Sequence, residues 1–123
     1  MPHCILEYSD NLADAPELRE LLDRVHATLI ESGEFAMANL KSRAYEARDF
    51  TVSDGDPRRG FVALAIHILD GRSDEVKAGL AESILPLLRE AYPESVAGGL
   101  VDLSVQIVDI HRASYRKLGM ADA

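Results

Sequence analysis

The sequence predicts an α/β (α+β) fold in which two β-α-β units lie side by side, giving one four-stranded sheet with two helices on one face. Three observations predict it. An extended apolar stretch is followed by one whose apolar residues recur every three or four positions, and this order occurs twice. The turn signal Asp54-Gly55-Asp56-Pro57 falls between the two occurrences, at roughly 2–50 and 60–110. Each half is too small to close a core alone, as expected of an internal duplication within a single domain spanning 1–123 and ending in a short C-terminal tail.

Taken in order, Pro2 to Tyr8 is the first strand, with Cys4, Leu6 and Tyr8 facing one way and His3, Ile5 and Glu7 the other. Asp14, with Pro16 and Glu17 behind it, predicts a helix start, and Gly33 predicts its stop. Between them Leu18, Leu21, Leu22, Val25, Leu29 and Ile30 form one apolar stripe. Leu40 to Phe50 is the second strand, with Lys41, Arg43 and Tyr45 on a common face. Phe61 to Leu69 is the third, closed by Asp70-Gly71. Ser73 then caps a helix running to about Tyr92, although Pro86 removes a backbone donor from its interior. Leu100 to Ile110 alternates Val101, Leu103, Val105 and Ile107 against Asp102, Ser104 and Gln106. The tail from His111 offers only Tyr115 and Leu118 as a weak apolar cluster, read as a docked turn or a partly disordered end.

With both helices on one face, the other face carries Ala63, Ala65, His67, Ser104 and Gln106. It would lie open to water unless another subunit covered it, so a homo-oligomer is expected.

Composition narrows the function classes. The 123 residues carry 21 acidic and 13 basic side chains, a net charge of −8, which argues against a nucleic-acid partner that needs many phosphate contacts. No apolar run approaches the ~20 residues of a membrane span, and no signal peptide is evident. The single cysteine, Cys4, excludes an internal disulfide and suits a reducing cytoplasm, so the expectation is a soluble cytoplasmic protein. His3, His26, His67 and His111 lack metal-ligand spacing, and no metal site is expected.

Proline follows the initiator methionine, so methionine removal would expose Pro2 as a free secondary amine at the start of a strand. The segment Ile66-His67-Ile68-Leu69-Asp70-Gly71-Arg72-Ser73-Asp74-Glu75-Val76-Lys77 resembles the strand-to-helix junction of the 4-oxalocrotonate tautomerases. Pro2-His3 through Ser9-Asp10-Asn11, together with Lys41-Ser42-Arg43, is similar to a longer branch of that tautomerase superfamily, the 5-carboxymethyl-2-hydroxymuconate isomerases. The resemblance covers nearly the whole chain. It implies a tautomerase-like fold packed as a trimer, no cofactor, and an isomerase of homoprotocatechuate catabolism acting on an unsaturated di- or tricarboxylate. It also implies that the free amine at Pro2 takes a proton from the dienol and returns it further along the conjugated chain. Where the family pattern is Arg-Ser-Arg, this chain has Lys41-Ser42-Arg43.

Physical chemistry supports these positions independently. An α-amine has an ordinary pKa of about 7.7–8.0, and nearby cations or burial lower it toward the working pH of a general base. Arg72 follows Gly71 at a helix start, where its fork can grip a carboxylate and polarise a neighbouring carbonyl. Lys41 and Arg43, two apart on a strand, share a face and can clamp a second carboxylate. Lys41 lacks the planar two-point grip. Arg58 and Arg59 are read as a solvated turn. Two other readings stay open: a tautomerase, decarboxylase or dehalogenase of another small unsaturated acid, and a non-catalytic oligomeric binding protein on the same scaffold.

Overall fold

In a computed structural model that describes residues 1–120, the chain runs β1 (His3–Ser9), α1 (Leu18–Glu31), β2 (Lys41–Ala47), β3 (Gly60–Leu69), α2 (Asp74–Ala91), α3 (Pro93–Gly98) and β4 (Val101–Ile110). Single 3-10 turns lie at Met37–Asn39 and Arg112–Ser114. The strand order is β2-β1-β3-β4. β1 and β2 are parallel, as are β3 and β4, and α1 and α2 supply the respective crossovers. The two pairs meet antiparallel along β1 and β3, with His3 opposite His67. The beginning of β1 therefore lies beside the end of β3, which decides where the site forms.

The core is the set of side chains that the sequence period points at the helices. Cys4 and Leu6 of β1 and Val62, Leu64, Ile66 and Ile68 of β3 pack with Leu21, Val25 and Leu29 of α1 and Leu80, Ile84 and Leu88 of α2. Full burial of each large aliphatic side chain contributes about 1.5–3 kcal/mol. Cross-strand register places His3, Ile5 and Glu7 beside Lys41, Arg43 and Tyr45 on the opposite face, continuing through Ala65 and His67 to Gln106 and Val108. That face is only half-covered within one chain, and Ser104 and Gln106 are exposed. Among the described residues no helix is long and apolar enough to cross a membrane.

The structure differs from the sequence expectation at the start of α1, at the end of β2 and in an additional helix. α1 starts at Leu18, because Glu17 is the N-cap and its carboxylate accepts from the Arg19 and Glu20 amides. Asp14 instead serves a distant helix, its carboxylate accepting from the amides of Glu94 and Ser95 at the start of α3. β2 ends at Ala47 instead of Phe50, since its partner, β1, ends at Ser9. Phe50 turns away to meet Phe61 edge-on at 6.0 Å between ring centroids. α3 was not expected at all. Tyr92 leaves the helical conformation (φ −125°, ψ 55°), Pro93 then begins a new short helix, and Gly99 ends it at φ 72°. The tail docks, but not through Leu118, which is fully exposed; Tyr115 is half-buried. Pro86 lies on the exposed side of α2, and the helix continues past it to Ala91. Ser73 caps α2 as expected, accepting from the Val76 amide.

Candidate active site

At the end of β3 the chain passes through Gly71 at φ +114°, a conformation that side chains rarely adopt, and this turn sets Arg72 just before the Ser73 cap. α1 ends nearby at Gly33 (φ 80°), which sends Glu34 and Phe35 back toward Arg72. The guanidinium is held from several sides. Nε donates to Glu34 Oε1 at 2.8 Å, one Nη to the Glu34 carbonyl at 2.9 Å, and the other Nη to the Leu69 carbonyl at 3.3 Å. The same group lies over the Phe35 ring, 4.6 Å from its centroid. With three of the five guanidinium N–H groups engaged, one on each Nη remains for a ligand.

Pro2 enters from the other side. Its carbonyl accepts from the Lys41 amide at 3.1 Å, which anchors the chain start to β2. Met1 and Pro2, with Phe35, Arg72, Tyr115 and Lys117, line a cleft of about 320 Å³, within the range of small-molecule sites. The Met1 α-amine is pushed down to about 6, first by burial and then by Lys117, Lys41 and Arg72. While Met1 is attached, the Pro2 nitrogen is an amide without basicity.

Pro2 and Arg72 thus share one cleft. Among the described residues, neither Lys41 nor Arg43 lines it. Both occupy the open sheet face; Lys41 donates to the Asn39 carbonyl at 3.4 Å, and Arg43 approaches His3 Nδ1 at 3.4 Å. The His3 imidazole is pushed below its ordinary value by burial and then by Arg43 and Lys41. Arg58 and Arg59 pair within their turn with Asp56 at 2.7 Å and Asp54 at 2.8 Å.

Phe35, Glu34, Asn39, Tyr115 and Lys117 escaped sequence reasoning. Pro2, Glu34, Arg72 and Lys117 belong to separate elements, and no local pattern links them. The one available signal was Gly33, whose helix-stopping role predicts a reversal but not its destination.

Comparison with known proteins agrees with this architecture. The family model for 5-carboxymethyl-2-hydroxymuconate isomerase matches residues 2–121. The chain is 30% identical over 111 residues to the 5-carboxymethyl-2-hydroxymuconate Delta-isomerase of Escherichia coli, covering 90% of this chain and 88% of that protein. A crystal structure of a 5-carboxymethyl-2-hydroxymuconate isomerase from Deinococcus radiodurans R1 superimposes with a TM-score of 0.88 at 30% identity, covering 97% of this chain and 90% of that one. A fused 4-OT chain solved as a symmetric trimer shares the fold at a TM-score of 0.71 and 16% identity, over 98% of this chain and 92% of that one. The fold is that of the tautomerase superfamily, and the class of protein is an isomerase. Within that class, the chain belongs to the 5-carboxymethyl-2-hydroxymuconate isomerase family.

Proposed function

We propose that this protein catalyses the ketonisation of 5-carboxymethyl-2-hydroxymuconate, with the Pro2 amine as general base once Met1 has been removed. The observation that carries the reading is that Pro2 and Arg72 line one cleft, in which the chain-start amine of the Met1 form is pushed down to about 6 by burial and then by Lys117, Lys41 and Arg72. A base poised there is unprotonated at neutral pH yet still basic enough to accept a proton in the transition state. The enol O–H bond breaks toward the amine, the electron pair moves along the diene, and the protonated amine delivers the proton to the far carbon. An O–H and a C=C bond are exchanged for a C–H and a C=O bond, with no net change in oxidation state and no cofactor assigned a part.

Arg72 is assigned the carboxylate next to the reacting enol. Its two uncommitted N–H groups can bind negative charge as it builds on the oxygen, and the Glu34 and Phe35 contacts hold the guanidinium in place. Arg43 and Lys41 are assigned to a second carboxylate. Because they lie on the open sheet face, that contact runs across a subunit boundary. The assembly we infer is a homotrimer that buries this half-covered face, and its setting is the cytoplasm, consistent with the lone buried thiol of Cys4.

The test is stopped-flow absorbance of 5-carboxymethyl-2-hydroxymuconate ketonisation, using protein whose intact mass shows Met1 absent. A rate far above buffer, rising with pH through an ionisation below the ordinary α-amine value, is expected. No rate above buffer overturns the reading.

A further inference from the structure

We propose that the segment following β4 is a specificity element of this enzyme, and that Lys117 at its end binds the substrate carboxylate most remote from the enol. The inference deepens the isomerase reading above and rests on it.

The segment is fastened to the site's own frame. Arg112 donates from Nη2 to the Asp70 carbonyl at 2.8 Å and from its amide to Asp70 Oδ2 at 3.3 Å, while Nε lies 3.5 Å from Oδ1. Asp70 is the residue between β3 and Gly71, so the tail is tied to the turn that presents Arg72. The turn Arg112–Ser114 is closed by the Ser114 amide on the His111 carbonyl and the Tyr115 amide on the Arg112 carbonyl. Beyond it, Tyr115 becomes a half-buried wall of the cleft and Lys117 reaches its edge.

Charge state separates Lys117 from Arg72. Arg72 is paired with the Glu34 carboxylate at 2.8 Å. Lys117 Nζ donates to Asn39 Oδ1 at 3.0 Å, a neutral acceptor, and among the described residues no carboxylate pairs with it. Asn39 therefore aims the ammonium without cancelling its charge, and two of the three N–H donors of lysine remain for an anion. Lys117 is exposed on a flexible stem, so it can follow a carboxylate at the cleft mouth while Arg72 stays fixed below.

The experiment compares Met1-processed wild type with Lys117→Ala and Lys117→Arg on the triacid 5-carboxymethyl-2-hydroxymuconate and on the diacid 2-hydroxymuconate. For Lys117→Ala, KM for the triacid should rise about tenfold, the strength of one partly screened charge-assisted contact, while KM for the diacid changes less than about twofold. The ascending limb of kcat/KM should move to higher pH because a cation has left the amine, and Lys117→Arg should restore both. Equal losses on the two substrates, or no loss on either, would overturn the assignment. Wild type inactive on both substrates refutes the isomerase reading instead. In that event calorimetry with propane-1,2,3-tricarboxylate and glutarate still decides the question: the tricarboxylate should bind wild type at least about fivefold more tightly than it binds Lys117→Ala, glutarate should not discriminate, and any other result overturns the inference.

Discussion

β1 has a cleft at each end, and the two differ in how their polar groups are committed. At its start the cleft holds Pro2, Arg72 and Lys117 around the chain terminus. Past its other end a smaller cleft of about 210 Å³ is lined by Tyr8, Asp10, Asp14, Glu46 and Tyr92. The second is acidic, and its best-placed carboxylate is already occupied. Asp14 accepts from the Glu94 amide at 3.2 Å and from the Ser95 amide and hydroxyl at 2.8 Å each. Burial works to raise the Asp14 pKa, but these three hydrogen bonds outweigh it and hold the carboxyl below its usual range. Tyr92 is almost fully buried, and its hydroxyl is pushed up to about 12 by burial, then by Tyr8 and Asp14. A cleft becomes a binding site where donors are left over. At the acidic end they are spent on holding α3 against the body of the protein, and a carboxylate substrate would be repelled.

The contrast between the two ends collapses if the amine is not the base. Wild type with Met1 retained, in which the Pro2 nitrogen is an amide, should lose about 10²–10⁴-fold in kcat/KM while keeping its thermal unfolding transition. Turnover within about tenfold of processed wild type would remove the amine from the mechanism. For the active protein, kcat/KM should fall as pH drops through the ionisation of the Pro2 amine, which the cationic Lys41, Arg72 and Lys117 around the chain start are expected to hold below the ordinary α-amine value.

Arg72→Ala should come next, with a loss on the order of 10²-fold in kcat/KM. Steady-state kinetics that split the loss between kcat and KM will show how much of the contact forms only in the transition state. Arg72→Lys should recover little, since it restores the charge but not the forked contact to Glu34 and the Leu69 carbonyl.

The acidic end should respond in stability and not in rate. Asp14→Ala should cost about 1–2 kcal/mol in urea unfolding by removing the cap of α3, with kcat/KM unchanged. The depressed pKa gives the wild-type carboxylate a stabilising contribution that is fully present above the unfolded value of about 3.9 and is lost as pH falls through the lower folded value. The Asp14→Ala penalty measured near neutral pH should therefore shrink in acid. A rate change in this variant would mean that the two clefts communicate. The smallest effect belongs to Tyr92→Phe. Its hydroxyl has no hydrogen-bond partner among the described residues, so deleting it should shift stability by less than about 1 kcal/mol, in either direction. A larger loss in thermal unfolding would show that the hydroxyl is satisfied in solution.

Sequence reasoning succeeded where the controlling physics is local. The Ser73 cap, the Gly33 stop, the Gly71 turn and the alternation of Val62, Leu64, Ile66 and Ile68 are all set within a turn or two of chain, and each stands where expected. It failed where one residue type serves two structures: Asp14 reads as the cap of the helix that follows it but caps one about 80 residues later. The short helix Pro93–Gly98 had its signals in Pro93 and Gly99, yet the apolar period preceding it masked the break at Tyr92. In the tail, Tyr115 and Leu118 looked equivalent by hydrophobicity, whereas only Tyr115 reaches the cleft.

The order of the main strands and helices, the apolar face of each, and the presence of a proline at position 2 and a turn-borne arginine were therefore all legible in the chain before folding. Periodicity and capping are short-range effects that survive in any arrangement of the elements. Packing was needed to set β1 and β3 antiparallel at the centre of the sheet, placing the chain start beside Arg72. It also brought Lys117 to the same cleft and left Arg43 on the open face. Those choices depend on how buried faces meet across long stretches of chain, where the free energy lies in contacts between residues that no local pattern relates.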